Sequence, residues 1–340
     1  MVTITDIAAA TGVSATTVSN VIHGRSNRVS EETVAKINEA IKKLGYTPNM
    51  SARALVSRQS KVVGFINHTM PTSDYNPMDD PFTATFIGII EKALRENGYY
   101  LMVRTVTSSE ELLALLRNWN MDGLFINGVF KDSFFETIDS LDIPVVLIDS
   151  YIDSKKCSNV GLEDKTGCYM ATKYLIDHGH RQIVFAAPPF FEEGVVHERF
   201  EGYKKALAEA GIPFDESMVI QTELDYDSCL TAARNILELP GVTGIVATAD
   251  VLAAGIMIHL RSFHKSCPKD YSIIGFDDLS LAKLITPPLT TVHQDMNMKG
   301  SIAVDIMLKK LEGEPLKHSH VTLPTELVIR ESVSTLFTKN

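Results

Sequence analysis

Close to its start the chain carries the run VTITDIAAATGVSATTVSNVIHG, Val2 to Gly24, which holds two short helical patterns on either side of a glycine. Thr5 is expected to cap the first helix, because a threonine oxygen can accept a hydrogen bond from a free amide of the first turn. Gly12 is expected to end that helix, and Ser14 to cap a second one from Ala15 to Ile22. The run therefore predicts two helices joined by a tight turn.

A third helical pattern follows a polar loop. Ser30 is placed to cap it, and Glu31 and Glu32 fall in its first turn, where the helix dipole favours negative charge. Apolar residues then recur every three or four positions as far as Leu44, and Gly45 ends the pattern. The first 45 residues therefore predict a small bundle of three helices.

From Lys61 onward, β-rich runs alternate with amphipathic helical patterns. The predicted strands are Val62–Ile66, Tyr100–Thr105, Leu124–Asn127, Val145–Asp149, Ile183–Ala187, Gly244–Ala247 and Ser272–Gly275. The predicted helices are Thr83–Asn97, Ser109–Asn118, Glu163–His178, His197–Ala210, Asp227–Leu239 and Asp250–Phe263. This alternation predicts parallel sheets covered by helices on both faces. Because 275 residues (61–335) are too many for one such sheet, two Rossmann-like lobes are expected.

The formal net charge of −10 is distributed unevenly along the chain. Residues 1–60 hold seven lysines and arginines against four acidic residues, whereas the other 280 residues hold 25 against 38. A basic head on an acidic body favours contact between the head and phosphate groups. The second helix adds side chains that suit DNA bases in the major groove, namely Ala15, Thr16, Ser19 and Asn20. From spacing alone, a helical bundle without DNA function stays open.

Several classes of protein and site are disfavoured. The apolar runs are far shorter than the roughly 20 residues that span a bilayer, and no export signal is recognised, so a cytoplasmic location without a membrane partner is expected. The motifs of phosphate-binding, dinucleotide-binding, hydrolase and zinc-protease sites are missing, so neither an enzyme nor a cofactor nor a metal is predicted. His178 and His180 are not expected to bind metal. Reduced and mostly buried thiols are expected at Cys157, Cys168, Cys229 and Cys267.

The head closely resembles the DNA-binding head of the LacI/GalR regulator family. The resemblance covers Val2–Gly24, then VSEET at Val29–Thr33, then LGYTPNMSARAL at Leu44–Leu55. It implies that operator preference is set by Ala15, Thr16 and Asn20, although the family often has arginine or histidine at the last of these. Further DNA contacts are expected at Thr5, Ser14, Thr17, Ser19, His23, Asn27 and Arg28.

The same resemblance implies a hinge helix over Asn49–Ser57. Two such helices of a dimer enter the minor groove, and Leu55 wedges between base pairs, with Asn49, Ala52 and Arg53 beside it. An inserted apolar side chain unstacks a base step and kinks the duplex. Ordinary packing of Leu55 within a linker is the alternative. The predicted division is residues 1–48 for the DNA-binding domain, 49–60 for the hinge and linker, and 61–335 for the remaining domain.

The remaining domain resembles the effector domain of the same family, which is similar to periplasmic sugar-binding proteins. The matching segments are Tyr174–Phe185, Glu198–Leu207, Ile273–Asp278 and Pro287–Gln294. The implied fold class is α/β, with a two-lobed, periplasmic-binding-protein-like domain behind an all-α helix-turn-helix head. The ligand is expected in the cleft between the lobes.

Two lines of reasoning select effector-binding residues. Ligands of open α/β sheets lie beyond the carboxyl ends of strands, which selects Asn127, Asp149, Asp250 and Asp277. The resemblance implies Arg199 and Asp277 as binding residues and Phe82 as a stacking one. The alternatives are an ion pair of Arg199 with Glu198 or Glu201, a turn cap at Asp277, and a core position for Phe82. Ala249 stands where the family commonly has asparagine.

The sequence thus predicts a transcriptional regulator, in the form of a repressor. A small effector, a sugar or sugar derivative, would control its affinity for a pseudo-palindromic operator in double-stranded DNA. A homodimer is favoured because no C-terminal heptad run is present, and a protein co-regulator stays open. The alternative is a cytoplasmic binding protein for a sugar or nucleoside, without enzymatic activity.

Overall fold

The computed structural model describes residues 2–22, 24, 29–46, 59–69 and 76–336. The chain separates into two compact units, Met1–Ser60 and Lys61–Asn340. The first unit is helical, and the second contains two mixed α/β lobes. The predicted fold class is therefore confirmed.

The first unit contains three helices, α1 at Ile4–Thr11, α2 at Ala15–Ile22 and α3 at Glu31–Leu44. Each contributes a completely buried aliphatic side chain to a small core, namely Ile7, Val18 and Ile37. Ser14 Oγ accepts from the Thr17 amide at 3.1 Å, and Ser30 Oγ accepts from the Thr33 amide at 3.3 Å. The predicted caps of α2 and α3 are thus confirmed.

The predicted cap of α1 is wrong, because Thr3 caps this helix and Thr5 lies exposed in its first turn. Thr3 Oγ1 accepts from the Asp6 amide at 3.3 Å, and the Asp6 carboxylate accepts from the Thr3 amide at 2.8 Å. This reciprocal pair is a capping box, which requires an acidic or amide side chain three residues after the cap. Thr5 has an alanine at that spacing, Ala8, so only Thr3 can form the pair.

The Thr3→Ala variant is expected to loosen the start of α1, whereas the matched Thr5→Ala variant should not. Loss of a threonine cap costs about 1 kcal/mol, which corresponds to roughly fivefold weaker protection of the α1 amides. Hydrogen exchange of these amides in the full chain measures the effect. Equal protection in the two variants would contradict the cap assignment.

The first lobe of the second unit is built on a six-stranded parallel sheet. Its strands are β1 (Val62–His68), β2 (Tyr100–Val106), β3 (Gly123–Asn127), β4 (Val145–Ile148), β5 (Ser158–Leu162) and β11 (His320–Leu323). They lie in the order β11-β5-β4-β3-β1-β2. The covering helices are α4 (Pro81–Glu96), α5 (Ser109–Asn118), α6 (Ser133–Ser140) and α12 (Met296–Glu312).

The second lobe repeats this plan with one antiparallel edge strand. Its strands are β6 (Ile183–Ala187), β7 (Val219–Gln221), β8 (Gly244–Ala247), β9 (Ser272–Asp277), β10 (Thr290–His293) and β12 (Glu326–Val328), in the order β12-β10-β9-β8-β6-β7. Only β12, which pairs with β10, runs antiparallel. The helices are α7 (Asp164–Asp177), α8 (Val195–Glu209), α9 (Tyr226–Glu238), α10 (Asp250–Ser262) and α11 (Ser280–Leu284).

Because α12 and β11 return to the first lobe, the chain crosses between the lobes three times, after β5, β10 and β11. All the predicted strands and helices of this unit are present, with ends shifted by a few residues. The sequence analysis missed five strands and the helices α6, α11 and α12. Lys299 interrupts the buried, mostly apolar face of α12.

Among the described residues, no helix has the length and apolar character needed to cross a membrane. All four cysteines are free thiols; three are buried and Cys267 is half-buried.

Candidate functional site

A cavity of about 250 Å³ lies where the carboxyl ends of strands from both lobes meet. From the first lobe it is lined by Asn67, His68, Thr69, Pro77, Asp80, Phe82, Thr83, Asn127 and Asp149, and from the second by Pro188, Val195, Val196, Arg199, Leu224, Thr248, Ala249 and Asp277. In the first sheet, β1 lies between β2 and β3, and in the second sheet, β6 lies between β7 and β8. The strands that follow β1 and β6 in the sequence are therefore added on opposite sides of them. Such a reversal of strand order opens a crevice.

A second, larger hollow of about 670 Å³ lies wholly on the first lobe, near the starts of α5 and α6. It is open and lined largely by serine, threonine and acidic side chains. None of the predicted effector residues lines this hollow. The smaller cavity between the lobes therefore remains the candidate site, because it joins the switch points of both sheets.

Five of the six predicted effector residues line the cavity between the lobes: Phe82, Asn127, Asp149, Arg199 and Asp277. Three aspartates near strand ends have left-handed backbones, with φ of 50° at Asp149, 113° at Asp277 and 56° at Asp278. Such conformations are strained in residues other than glycine and occur often at functional sites.

Arg199 on α8 is held by a carboxylate that the sequence analysis did not select. Its Nε donates to Asp164 Oδ1 at 2.7 Å, its Nη1 donates to the Thr248 carbonyl, and Nη2 lies 4.0 Å from Asp277 Oδ1. The guanidinium also lies over the Phe276 ring, 3.5 Å from its centroid. Burial alone would lower the pKa of Arg199, but the two aspartates together raise it. The predicted alternative partners, Glu198 and Glu201, do not pair with it.

A buried lysine, Lys299 on α12, holds Asp149 at the end of β4. Its Nζ lies 2.7 and 2.9 Å from the two carboxylate oxygens of Asp149, and 2.8 Å from Gln294 Oε1. Gln294 Nε2 in turn donates to Asp277 Oδ1 at 2.6 Å. Since an ammonium only donates, the glutamine oxygen must face Lys299 and its amide nitrogen must face Asp277. One glutamine thus bridges the charged groups of the two lobes.

Burial raises the pKa of two acids of this cluster, Asp149 and Asp277. It raises the pKa of Asp277 well above its ordinary value, although Arg199 opposes the shift. It also raises the pKa of Asp149, against the attraction of Lys299. Desolvation penalises an ionised carboxylate, so both acids hold a proton more readily than exposed aspartates do.

Two buried polar atoms of the cavity have no hydrogen-bond partner in the described part of the chain, Asn67 Nδ2 and Thr248 Oγ1. Both residues are 3% exposed, and they lie on opposite lobes, at the ends of β1 and β8. An unpaired buried polar atom costs about 1–3 kcal/mol, so partners are expected from a bound molecule or water. Phe82 adds a half-buried aromatic wall, stacked on Phe86 with centroids 6.1 Å apart.

In the helical unit, the predicted base-reading residues lie on or before α2. Ser14, Ala15 and Thr16 are exposed, whereas Thr17, Ser19 and Asn20 are half-buried. Thr17 Oγ1 lies 2.8 Å from Ser14 Oγ, so the two hydroxyls stand together at the start of the helix. Thr5, also predicted to contact DNA, is exposed on α1. The remaining predicted DNA contacts fall outside the described residues, namely His23, Asn27, Arg28, Asn49, Ala52, Arg53 and Leu55.

Comparison with known proteins matches both units. Residues 3–49 match the model for bacterial regulatory proteins of the lacI family, and residues 172–333 match that for periplasmic binding protein-like domains. The chain is 31% identical over 343 residues to the HTH-type transcriptional repressor PurR of Vibrio atlanticus, across 99% of this chain and 100% of that protein. The chain belongs to the LacI family. This LacI-family member is therefore a DNA-binding transcriptional regulator.

Solved structures agree with this assignment. The regulator CelR in complex with cellobiose has a TM-score of 0.72 and 29% identity, across 98% of this chain and 100% of that one. A lac repressor dimer bound to operator and the anti-inducer ONPF has a TM-score of 0.84 and 24% identity, across 98% and 99% of the two chains. The lac repressor likeness concerns the fold alone.

In this LacI-family chain, the sixth predicted effector residue, Asp250, does not line the cavity. Its carboxylate is completely buried, accepts from the Leu279 amide at 2.8 Å and also accepts from Thr291 Oγ1. Gly275 makes room for it, since a Cβ there would lie 2.3 Å from Asp250 Oδ1. Asp250 therefore supports the turn that begins at Asp277, rather than facing the cavity.

The Asp250→Asn variant should reduce the dependence of stability on pH. Burial raises the pKa of Asp250 to about 7. Between the ordinary aspartate pKa and about 7, the folded chain keeps a proton that the unfolded chain has released, so the free energy of unfolding falls as pH rises. Asparagine removes this contribution, and urea unfolding at pH 5.5 and 7.5 measures it. Exposed Asp142→Asn should keep the original slope, and equal slopes in both variants would contradict the assignment.

Both ring nitrogens of His180 have a hydrogen-bond neighbour within the second lobe. Its Nδ1 lies 2.9 Å from Thr243 Oγ1 and its Nε2 lies 3.0 Å from the Ser334 carbonyl. The described residues contain no group of three side chains suited to a metal ion. Sequence reasoning missed Asn67, Thr248, Gln294 and Lys299 as functional candidates.

Proposed function

We propose that this regulator is a homodimeric repressor whose affinity for a pseudo-palindromic operator is set by a sugar or sugar derivative. The observation that carries the proposal is the cavity between the lobes, in which Asn67 and Thr248 present unpaired polar atoms from opposite sides. A molecule with several hydroxyl groups can satisfy both atoms at once. The relative CelR was solved with cellobiose, a ligand of this chemical class.

The chemistry of the cavity favours a sugar. Polar groups such as Asn127, Asp277 and Arg199 suit hydroxyls, and Phe82 offers an aromatic wall for the apolar face of a sugar ring. Asp149 and Asn127 belong to the first lobe, whereas Arg199 and Asp277 belong to the second. A ligand that contacts all four fixes the angle between the lobes.

The proposed mechanism transmits this angle to DNA. Residues 1–48 read the operator, residues 49–60 act as a hinge, and residues 61–335 bind the effector and the partner subunit. A change in lobe angle would move the paired hinge segments and so alter operator affinity. Typical coupling between two sites is about 1–3 kcal/mol, which corresponds to roughly 5–150-fold in affinity.

Three exposed apolar side chains on the second lobe support the proposal of a homodimer. Tyr226, Ile258 and Leu284 are 68%, 56% and 79% exposed and lie on α9, α10 and α11, which are consecutive helices of this lobe. Large exposed apolar side chains on neighbouring helices favour a protein contact. Two-fold pairing places two heads on two half-sites, which requires a pseudo-palindromic operator.

The function is tested by selecting bound sequences from random duplex DNA with the full chain. The proposal expects a two-fold symmetric consensus, and effector candidates are then found by thermal-shift screening against sugars, sugar derivatives and nucleosides. A consensus without symmetry would contradict the dimer. Failure to enrich any sequence would contradict operator recognition. Nucleosides as the only ligands would contradict the sugar assignment.

A further inference from the structure

The ammonium of Lys299 has no donor left for a ligand. The residue is fully buried, with 0% exposure. Its Nζ has three hydrogens, and the three neighbouring acceptors are Asp149 Oδ1 at 2.7 Å, Asp149 Oδ2 at 2.9 Å and Gln294 Oε1 at 2.8 Å. An ammonium donates three hydrogen bonds at most. Because Lys299 donates to both oxygens of Asp149, this carboxylate accepts in its ionised form and neutralises the ammonium within the wall of the cleft, although burial raises the pKa of Asp149.

The guanidinium of Arg199 has two of its five N–H groups hydrogen-bonded within the protein. Asp164 holds its Nε, the Thr248 carbonyl holds its Nη1, and the Phe276 ring covers one face. Its Nη2 points toward Asp277 at 4.0 Å. An anion that bound the remaining Nη hydrogens would lie beside the Asp277 carboxylate, which disfavours a phosphate or carboxylate ligand there.

Carboxylates outnumber cations around the cleft. Among the described residues, the acidic side chains that line the cavity or pair with its bases are Asp80, Asp149, Asp164 and Asp277. Against them stand Arg199 and Lys299, both already paired. An anionic ligand would enter a buried region whose two cations are both paired with carboxylates, so no unpaired cation among the described residues is left to neutralise it. Like charges placed together in a desolvated site cost several kcal/mol.

The groups that remain available for a ligand include two uncharged polar atoms and one carboxylate that can accept. Asn67 Nδ2 and Thr248 Oγ1 are the unpaired buried atoms of the described residues, and each suits a hydroxyl group. The carboxylate of Asp277 accepts one hydrogen bond from Gln294 and can accept others from hydroxyl donors. This inventory fits a neutral molecule rich in hydroxyl groups.

We infer that the cleft selects an uncharged polyhydroxy ligand and rejects phosphorylated or carboxylated counterparts, because Asp149 neutralises Lys299. Lys299 and Asp149 thereby act as a specificity-determining pair. This inference rests on the proposed function and narrows its ligand to one charge class.

The first test compares neutral sugars with their charged counterparts on the full wild-type chain. Suitable sets are glucose with glucose 6-phosphate and gluconate, ribose with ribose 5-phosphate, and cellobiose with cellobionate. Where a neutral member binds, its charged counterpart should bind at least about a hundredfold more weakly, as a cost of several kcal/mol requires. Calorimetric titration measures both constants.

The second test reverses the preference with the Asp149→Asn variant. Removal of the carboxylate leaves a buried ammonium without a counter-charge, so the charged counterparts should gain at least about tenfold in affinity. The double variant Asp149→Asn, Lys299→Met lacks both charges and should show no such gain. Circular dichroism and operator binding show that each variant is folded, and the wild-type comparison stands even if a variant does not fold.

The outcomes separate this inference from the proposed function. Wild-type binding of a charged member as tight as that of its neutral partner would overturn the inference. If that anion also shifts operator affinity, effector control of the regulator would still hold. An equal gain for the single and double variants would overturn the role of Lys299. If no sugar of either kind is bound, the sugar assignment falls and this inference with it.

Discussion

Replacement of Arg199 by alanine is expected to abolish the response of operator affinity to the effector. Arg199 lies between Asp164, Thr248 and Asp277. Its loss therefore removes one lining residue of the cavity and a neighbour that positions two others, Thr248 and Asp277. Operator affinity, measured by fluorescence anisotropy with and without the effector, should become the same. Exposed Arg181 offers a matched control, and Arg181→Ala should retain the full response. A normal response in the Arg199 variant would contradict its place in the site.

The same substitution should also lower stability, because it leaves Asp164 buried without a counter-charge, with Tyr151 Oη as its remaining side-chain donor. Asp164 is 1% exposed, and breaking a buried pair from one side costs about 3–5 kcal/mol. Addition of Asp164→Asn removes the uncompensated charge and should restore much of this loss, without restoring the effector response. Denaturant unfolding measures the recovery. No recovery in the double variant would contradict the ion pair as the cause.

Replacement of Leu55 by alanine is expected to weaken operator binding by at least about tenfold, while effector binding by the free protein stays unchanged. Leu55 lies outside the described residues, and its role follows from the family resemblance of the head. An apolar wedge offsets the unstacking of a base step, which costs a few kcal/mol, by permitting further contacts along the bent duplex. Alanine is too short to fill the opened step, so the bend loses its support.

The Leu55→Met variant serves as the matched control, since methionine is an apolar side chain of similar volume. It should retain most of the operator affinity that alanine loses. Gel-shift titration on one selected operator measures both variants. Wild-type operator affinity in Leu55→Ala would contradict the wedge.

Local patterns predicted most of the fold because the elements carry their own signals. Ser14 and Ser30 are side-chain caps at the expected places, and α2 has the predicted bounds Ala15–Ile22. The α1 cap was misplaced because two threonines, Thr3 and Thr5, compete within one turn. Only the reciprocal bond with Asp6 distinguishes them.

The candidate site was predicted in part, because strand ends are visible in a sequence but strand order is not. The rule of carboxyl ends selected Asn127 and Asp149 directly. It missed Asn67, since β1 was predicted to end two residues too early, at Ile66. At β8 it selected Asp250, whereas Thr248 lines the cavity and Asp250 packs beneath it.

Lys299 could not be assigned from the sequence, because its partner Asp149 lies 150 residues away along the chain. One local signal was present. Lys299 lies on the same helix face as Ala303 and Ile306, which are both buried, so a lysine interrupts an apolar stripe. Such a lysine requires a buried counter-charge, which only the folded structure identifies.

The central claim is that occupancy of the cleft controls operator affinity. Its most direct test is the affinity of the full-length chain for its selected operator, measured by fluorescence anisotropy across a titration of the neutral sugar found by screening. The account predicts a saturable change of roughly 5–150-fold that follows occupancy of the cleft and disappears in Arg199→Ala. A sugar that binds the cleft tightly but leaves operator affinity unchanged would contradict it.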